Sequence, residues 1–250
     1  MKFLFALITA VTIQFFLLEF PRNAFAAKKV YSPIVEKWEI EVEVSGSYDF
    51  DDHKELNSIQ KQQYALGCGV SDRWFTELYG EIKKERNEDG EDLNFRFTTM
   101  EWENRYQLTE RGKYWLDAGL YFAYEIPFEN KHPGELEGKI LLEKSLTQLT
   151  HTANIIFKKE VGGGTQNETE GGFAWSSRYH LSSWVQPGFE YYADFGVINQ
   201  HLPYDQQQHQ IGPAFYGHLT KNIEYDIGYL FGVSEAAVDG ELKWVMEYEF

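Results

Sequence analysis

From Trp38 to the last residue, apolar and polar side chains take turns with a period of two. Trp38, Ile40, Val42 and Val44 alternate with Glu39, Glu41, Glu43 and Ser45. A strand points successive side chains to opposite faces, so one face of this segment is apolar and the other acidic. The same alternation runs from Gln63 to Val70, Tyr114 to Ile126, Phe173 to Leu181, Val185 to Phe195, Ile223 to Val233 and Leu242 to Phe250. Roughly twelve such segments are present, most of them about ten to thirteen residues long against about five or six for an ordinary soluble strand. That length suits a tilted crossing of a bilayer. The phase breaks between Phe97 and Met100, which predicts a β-bulge there. No helical period follows residue 26.

The connections fall into two alternating kinds. Residues 71–73, 109–112, 147–149, 182–183 and 220–222 are short; residues 51–56, 85–92, 127–134, 161–169, 197–206 and 235–239 are longer and polar. Short turns at one end and longer loops at the other predict an all-β, antiparallel up-and-down transmembrane barrel of about 12 strands, with both termini at the short-turn end. Trp38, Trp74, Trp102, Tyr106, Tyr114 and Tyr248 are expected near that end, as an interfacial girdle. No loop is long enough to fold inside as a plug domain. A large sandwich or lipocalin-like barrel also alternates, but it needs neither such long strands nor an aromatic girdle.

The final segment carries Trp244, Tyr248 and Phe250 in an amphipathic strand that ends the sequence. It resembles the C-terminal assembly signal of Gram-negative outer-membrane β-barrel proteins. The resemblance implies a porin-like barrel in the bacterial outer membrane, with the barrel-assembly machinery, outer-membrane lipid and lipopolysaccharide as partners. Twelve-stranded channels for sugars and nucleosides are similar in size. Transporter-like outer-membrane proteins linked to aromatic-compound degradation are similar in architecture. No motif of the sugar and nucleoside channels is matched, and the second likeness rests on architecture alone.

The first residues read differently. Lys2, the apolar run from Phe3 to Leu18 and Ala24-Phe25-Ala26 form the three parts of a secretory signal peptide. The expected organisation is a cleaved signal at 1–26 and a barrel at 27–250. An uncleaved anchor is the alternative, but Thr9, Thr12 and Gln14 dilute the run.

Composition sharpens this picture. The chain holds 39 acidic and 23 basic residues, a net charge of -16, which argues against nucleic acid as a partner. A 17% aromatic content excludes disorder, and the single cysteine, Cys68, excludes disulfides and a multi-Cys zinc site. Cys68 is expected on the apolar face. Taking the polar face as inward gives the pore-lining candidates Glu39, Glu41, Glu43, Glu77, Glu81, Asp117, Glu125, Glu190, Asp194, Glu224, Asp226 and Glu247. Lys83, Lys139, Arg178 and Lys243, with Arg96 and Arg105, are the expected inward bases; Phe75, Tyr79, Trp115, Tyr121, Tyr192 and Tyr216 are the bulky inward residues.

Reactive side chains give no catalytic set. His180-Leu181-Ser182 is similar to the His-x-Ser of outer-membrane phospholipases, but Ser183-Trp184 follows where those enzymes have Asn-Gly. His201, Asp205 and His209, and His53 with Asp51 and Asp52, read as solvated loops rather than metal sites. Gly162-Gly163-Gly164 precedes no helix and lacks a P-loop lysine. The expectation is therefore no enzyme, no cofactor and no metal. The expected function is a passive channel for small, preferentially cationic solutes, with a non-conducting structural or envelope barrel as the alternative and an outer-membrane enzyme as the third class.

Overall fold

A computed structural model describes residues 28–87, 90–128, 133–162, 165 and 168–250. The expected signal segment with its Ala24-Phe25-Ala26 site lies outside the described residues, as do Ala27, Gly163, Gly164 and Asn167.

Twelve strands follow one another: β1 (Ile40–Phe50), β2 (Gln60–Ser71), β3 (Trp74–Lys84), β4 (Arg96–Gln107), β5 (Asp117–Pro127), β6 (Gly134–Leu146), β7 (Leu149–Val161), β8 (Glu170–Tyr179), β9 (Gln186–Val197), β10 (Gln208–His218), β11 (Ile223–Gly232) and β12 (Gly240–Glu249). Each pairs antiparallel with its sequence neighbours, and β12 returns to β1, so the sheet is a closed barrel. Closure leaves no free edge, and every ladder finds a partner. The closing register sets Val42 opposite Tyr248 and Val44 opposite Met246, and the Phe250 amide donates to the Ile40 carbonyl at 2.9 Å.

Burial follows the period of two, with the sense of a soluble protein reversed. In β1, Glu41 and Glu43 are 4% and 2% exposed, whereas Val42 and Val44 face outward. Leu66, Leu78, Leu120, Phe122, Ile140 and Phe157 are also exposed on the outer face. A continuous apolar exterior around a charged interior is what a hydrocarbon surrounding stabilises. Cys68 is on this outer side and is a free thiol.

The expected bulge is present. Phe97 opposes Ile82 and Thr99 opposes Glu81, so Thr98 is the extra residue. Two expectations fail. The turn after β4 runs from 108 to 116, so Tyr114, Trp115 and Leu116 are not strand residues, and Trp115 is 78% exposed rather than inward. The apolar alternation there continues past the point where pairing stops: Asp117 Oδ1 accepts from the Gly112 amide at 2.8 Å and ties the turn. Trp102 lies opposite Leu78 and Tyr124 at mid-strand, away from the short-turn end.

The barrel also contains something inside it. Lys28 to Val35 run through the lumen without joining the sheet, and Pro33, Tyr31 and Val35 are buried. A segment outside any ladder must satisfy its backbone groups elsewhere. Here inward side chains do so. The Tyr31 amide donates to Asn154 Oδ1 at 2.8 Å, and Asn154 Nδ2 donates back to the Tyr31 carbonyl at 2.8 Å. The Val35 amide donates to Gln107 Oε1 at 2.9 Å, and Lys243 Nζ to the Lys28 carbonyl at 3.0 Å. Lys28 lies at the long-loop half beside Gln210 and Glu241, and Val35 lies at the short-turn end. Trp38, at φ 64°, turns the chain out of the lumen and into β1. The expectation of an unplugged interior considered the loops alone; the occupant is the N-terminal segment.

Candidate functional site

The interior chemistry is set by the closing register. β1 and β12 place Glu41 opposite Glu249, Glu43 opposite Glu247 and Asp49 opposite Glu241. Like charges directly opposite each other destabilise a ladder. The N-terminal segment supplies the counter-charge. Lys29 Nζ bridges the seam, 2.5 Å from Glu43 Oε2 and 2.6 Å from Glu247 Oε1. Lys28 Nζ binds Glu241 and Gln210. Neither Lys37 nor Lys243 serves these carboxylates. Lys37 sits outside with Asp72 at 3.4 Å, and Lys243 is committed elsewhere.

Lys243, 1% exposed, centres a second cluster. Its Nζ is 2.7 Å from Glu190 Oε2, 2.8 Å from Asp226 Oδ2 and within 3.3 Å of the Tyr192 hydroxyl. Tyr216 and Tyr192 both donate to Glu190, at 2.7 and 3.1 Å, and the Arg178 guanidinium stacks 4.0 Å over Tyr216. Each carboxylate oxygen of Glu190 has a donor, which lowers the cost of burying it.

The third cluster surrounds Tyr31. Its ring packs 4.8 Å from that of Tyr121, and Lys139 Nζ stands 4.3 and 4.0 Å above the two rings. Such cation–π contacts contribute about 0.5–2 kcal/mol each. The Tyr31 hydroxyl donates to Glu103 Oε1 at 2.9 Å, and Tyr121 donates to Glu101 Oε1 at 3.2 Å.

Between the segment and the wall remains a cavity of about 530 Å³ at the short-turn end. Glu39, Glu41, Glu190, Glu224, Asp226 and Glu247 line it, with Arg105, Arg178 and Lys29 as cations. The remaining acids proposed from sequence, Glu43, Glu77, Glu81, Asp117, Glu125 and Asp194, also lie on the inner face. Among the bases, Arg105 is inward, and Arg96, the first residue of β4 and opposite Lys83, stands at the long-loop rim with Glu85. Phe75, Tyr79, Tyr121, Tyr192 and Tyr216 are buried inside.

Lys28, Lys29, Tyr31, Asn154, Glu101 and Glu103 were missed. The alternation of Trp102 and Tyr106 marks Glu101 and Glu103 as inward once the bulge at Thr98 is allowed for. Nothing local marks Lys28 or Lys29, which reach partners about 200 residues away in sequence.

The histidines are engaged locally. His180 contacts Thr150 Oγ1 at 2.8 Å and Gln186 Oε1 at 2.9 Å, while Ser182 Oγ donates to the Val185 carbonyl at 3.2 Å. His209 uses both ring nitrogens, on the Tyr191 hydroxyl at 2.7 Å and Gln207 Oε1 at 2.9 Å. In the exposed loop after β1, His53 Nδ1 donates to Asp51 Oδ1 at 2.9 Å, which holds the imidazole above its ordinary pKa.

No family model and no curated protein matches this chain. Solved structures do. The COG4313 outer membrane channel from Pseudomonas putida F1 matches with a TM-score of 0.61 at 10% identity, over 91% of this chain and 100% of that one. The NanC porin matches with a TM-score of 0.57 at 11% identity, over 84% of this chain and 98% of that one. These likenesses establish the fold: the structures it resembles are outer-membrane barrels. LpxR from Salmonella typhimurium, an outer-membrane enzyme, is also matched, at 0.48 and 8% identity. The expectation of no enzyme does not stand. At that similarity LpxR carries no argument for activity in this chain.

The entry of the segment into the lumen gives a sharp prediction. A Cβ on Gly69 would lie 1.9 Å from the Glu36 carbonyl oxygen, and one on Gly119 would lie 2.9 Å from Pro33 Cβ. Backbone cannot yield cheaply to such an approach. Gly69→Val is expected to displace residues 33–36 while leaving the ladders closed. In a Cys68→Ser background, labelling of Val35→Cys by a small thiol reagent then rises several-fold; an unchanged rate removes the role given to Gly69.

Proposed function

We propose that the chain is exported by a cleaved signal peptide and lodges in the bacterial outer membrane. There it acts as a narrow, passive, porin-like channel for small, preferentially cationic solutes. The observation that carries this reading is the acid-lined cavity at the short-turn end of a closed barrel with an apolar exterior. An excess of carboxylates within a low-dielectric wall lowers the potential and concentrates cations, and rings of Asp or Glu are how cation-selective pores are made. The channel-type neighbours support the same reading.

Reversal potentials across a salt gradient test it. Cation preference is expected at low salt. It should weaken toward 1 M, where the Debye length is about 3 Å against about 10 Å at 0.1 M. Glu39→Gln, Glu41→Gln and Glu43→Gln together should reduce the preference. Anion preference, or a triple variant identical to the parent, overturns the selectivity.

A second reading, a non-conducting envelope barrel, is favoured by the filling of the lumen by Tyr31, Pro33 and Val35. Its acidic loops would share divalent cations with lipopolysaccharide. Absence of conductance in the full barrel and in one lacking residues 28–36 selects it.

Assembly follows from the same placement, with outer-membrane lipid and the barrel-assembly machinery as partners. Phe250, 73% exposed, extends β12 beside Ile40 and packs on Tyr248 with ring centroids 4.7 Å apart. Deleting Phe250 should lower the yield of heat-modifiable barrel in outer membranes without changing synthesis. Equal yield would contradict its role as assembly signal.

A further inference from the structure

The acids of β1 and β3 converge in a way that the ion pairs above do not account for. In the ladder, Glu41 lies opposite Gly67 of β2, and Gly67 lies opposite Glu77 of β3. Glu43 and Tyr79 are likewise separated only by Ala65. Two small residues on the intervening strand leave the inner face open, so the carboxylates of β1 and β3 approach across it. One oxygen from each of Glu41, Glu43 and Glu77 falls within 4.8 Å of the others.

The cluster is deeply buried and incompletely satisfied. Glu41, Glu43 and Glu77 are 4%, 2% and 2% exposed. Glu41 Oε1 and Glu77 Oε1 are buried without a hydrogen-bond donor. The Tyr79 hydroxyl reaches Glu77 Oε2 at 2.9 Å and Glu43 Oε2 at 3.2 Å, and Arg105 comes no nearer than 4.0 Å to Glu41 Oε1. With Glu247 included, four carboxylates face two cations, Lys29 and Arg105, which leaves two negative charges. Buried carboxylates without partners are costly.

We propose that Glu41, Glu43 and Glu77 form a divalent-cation site on the inner wall of the barrel, suited to Ca²⁺. A divalent ion supplies the missing charge and gives the two orphaned oxygens a partner. Ca²⁺ takes oxygen ligands at about 2.3–2.6 Å, so ligands on opposite sides of it stand about 4.6–5.2 Å apart, whereas Mg²⁺ at about 2.0–2.1 Å requires a tighter cage. All three oxygens lie within 4.8 Å of one another, a span that Ca²⁺ with its flexible coordination can bridge. Glu41 also lines the cavity, which gives the ion an entry path and water for its remaining positions. Glu43 is shared with Lys29, so the ion and the ammonium compete for one carboxylate and the site reports on the N-terminal segment.

The test is Tb³⁺ luminescence on the folded full barrel in detergent, because Tyr79 lies in contact with two of the ligands and sensitises an ion held there. Tyrosine-sensitised emission that Ca²⁺ displaces is expected. It should fall at least tenfold in apparent affinity in Glu77→Gln, persist in Glu137→Gln on another part of the wall, and tighten several-fold in Lys29→Met. Heat-modifiable migration verifies that each variant is folded, and Glu41→Gln replaces Glu77→Gln if the latter does not assemble. Emission that survives both Glu77→Gln and Glu41→Gln, that Ca²⁺ fails to displace, or that never appears in the parent overturns the site; in the last case protons alone balance the cluster.

Discussion

A barrel lacking residues 28–36 is expected to conduct several-fold more than the full chain in planar bilayers, with fewer closures. The segment crosses the lumen from Gln210 and Glu241 to Gln107, and it fills the middle with Tyr31 and Pro33. A twelve-stranded barrel lies between the eight-stranded size that side chains fill and the sixteen-stranded size that holds a water channel. One extended segment is therefore enough to decide whether a path exists. The deletion also removes Lys28 and Lys29 from a wall of carboxylates, so the more open barrel should select more strongly for cations. Both readouts come from one recording. A deletion variant that remains folded and conducts no better than the parent shows that the inward tyrosines and the Lys243 cluster, not the segment, close the lumen.

The second large effect concerns stability. Lys29→Met leaves Glu43 facing Glu247 across the seam between the first and last strands, with Glu43 almost fully buried. Removing one partner of a buried pair costs about 3–5 kcal/mol. Water in the adjoining cavity screens part of this, which brings the expected loss to about 1–3 kcal/mol. It should appear as a lower midpoint of heat-induced unfolding, followed by the shift in gel migration. The specific signature is rescue. In Lys29→Met with Glu247→Gln, the like-charge contact is gone and most of the stability returns, so the double-mutant cycle gives a coupling well above zero. Additive losses in the double variant would mean that Lys29 contributes packing over Tyr31, 5.5 Å from its ring centroid, and not seam neutralisation.

The two effects separate the roles of the segment. Narrowing of the path depends on Tyr31, Pro33 and Val35, whose volume fills the middle of the lumen; the seam depends on the two ammonium groups. Lys28→Met with Lys29→Met should therefore weaken the barrel, whereas Tyr31→Ala changes its filling with less effect on the closing strands.

The barrel itself was legible along the chain because it is written in local code. Strand identity, strand length, the alternation of short and long connections and even the bulge at Thr98 depend on side chains two positions apart, and hydrophobic alternation carries them directly. The failures mark where local code stops. The run from Tyr114 to Leu116 has the pattern of a strand, but its chain is held in a turn by Asp117. Trp115 accordingly points out of the barrel rather than into it.

The interior was legible as a sign but not as a set of partners. Alternation assigns Glu39, Glu41, Glu43, Glu77 and Glu190 to one face, and the excess of acid over base follows from composition. Which carboxylate meets which cation depends on the register of strands far apart in sequence and on barrel curvature. Closure sets Glu43 beside Glu247, small residues at Ala65 and Gly67 let β1 and β3 converge, and only then do Lys28 and Lys29 have somewhere to go. The sequence by itself determined the strands, their order and the inward face, because these are nearest-neighbour properties of a pleated chain. The occupied lumen and its charge pairs were decided by the tertiary structure, because an N-terminal segment without periodicity takes its conformation from the wall that surrounds it.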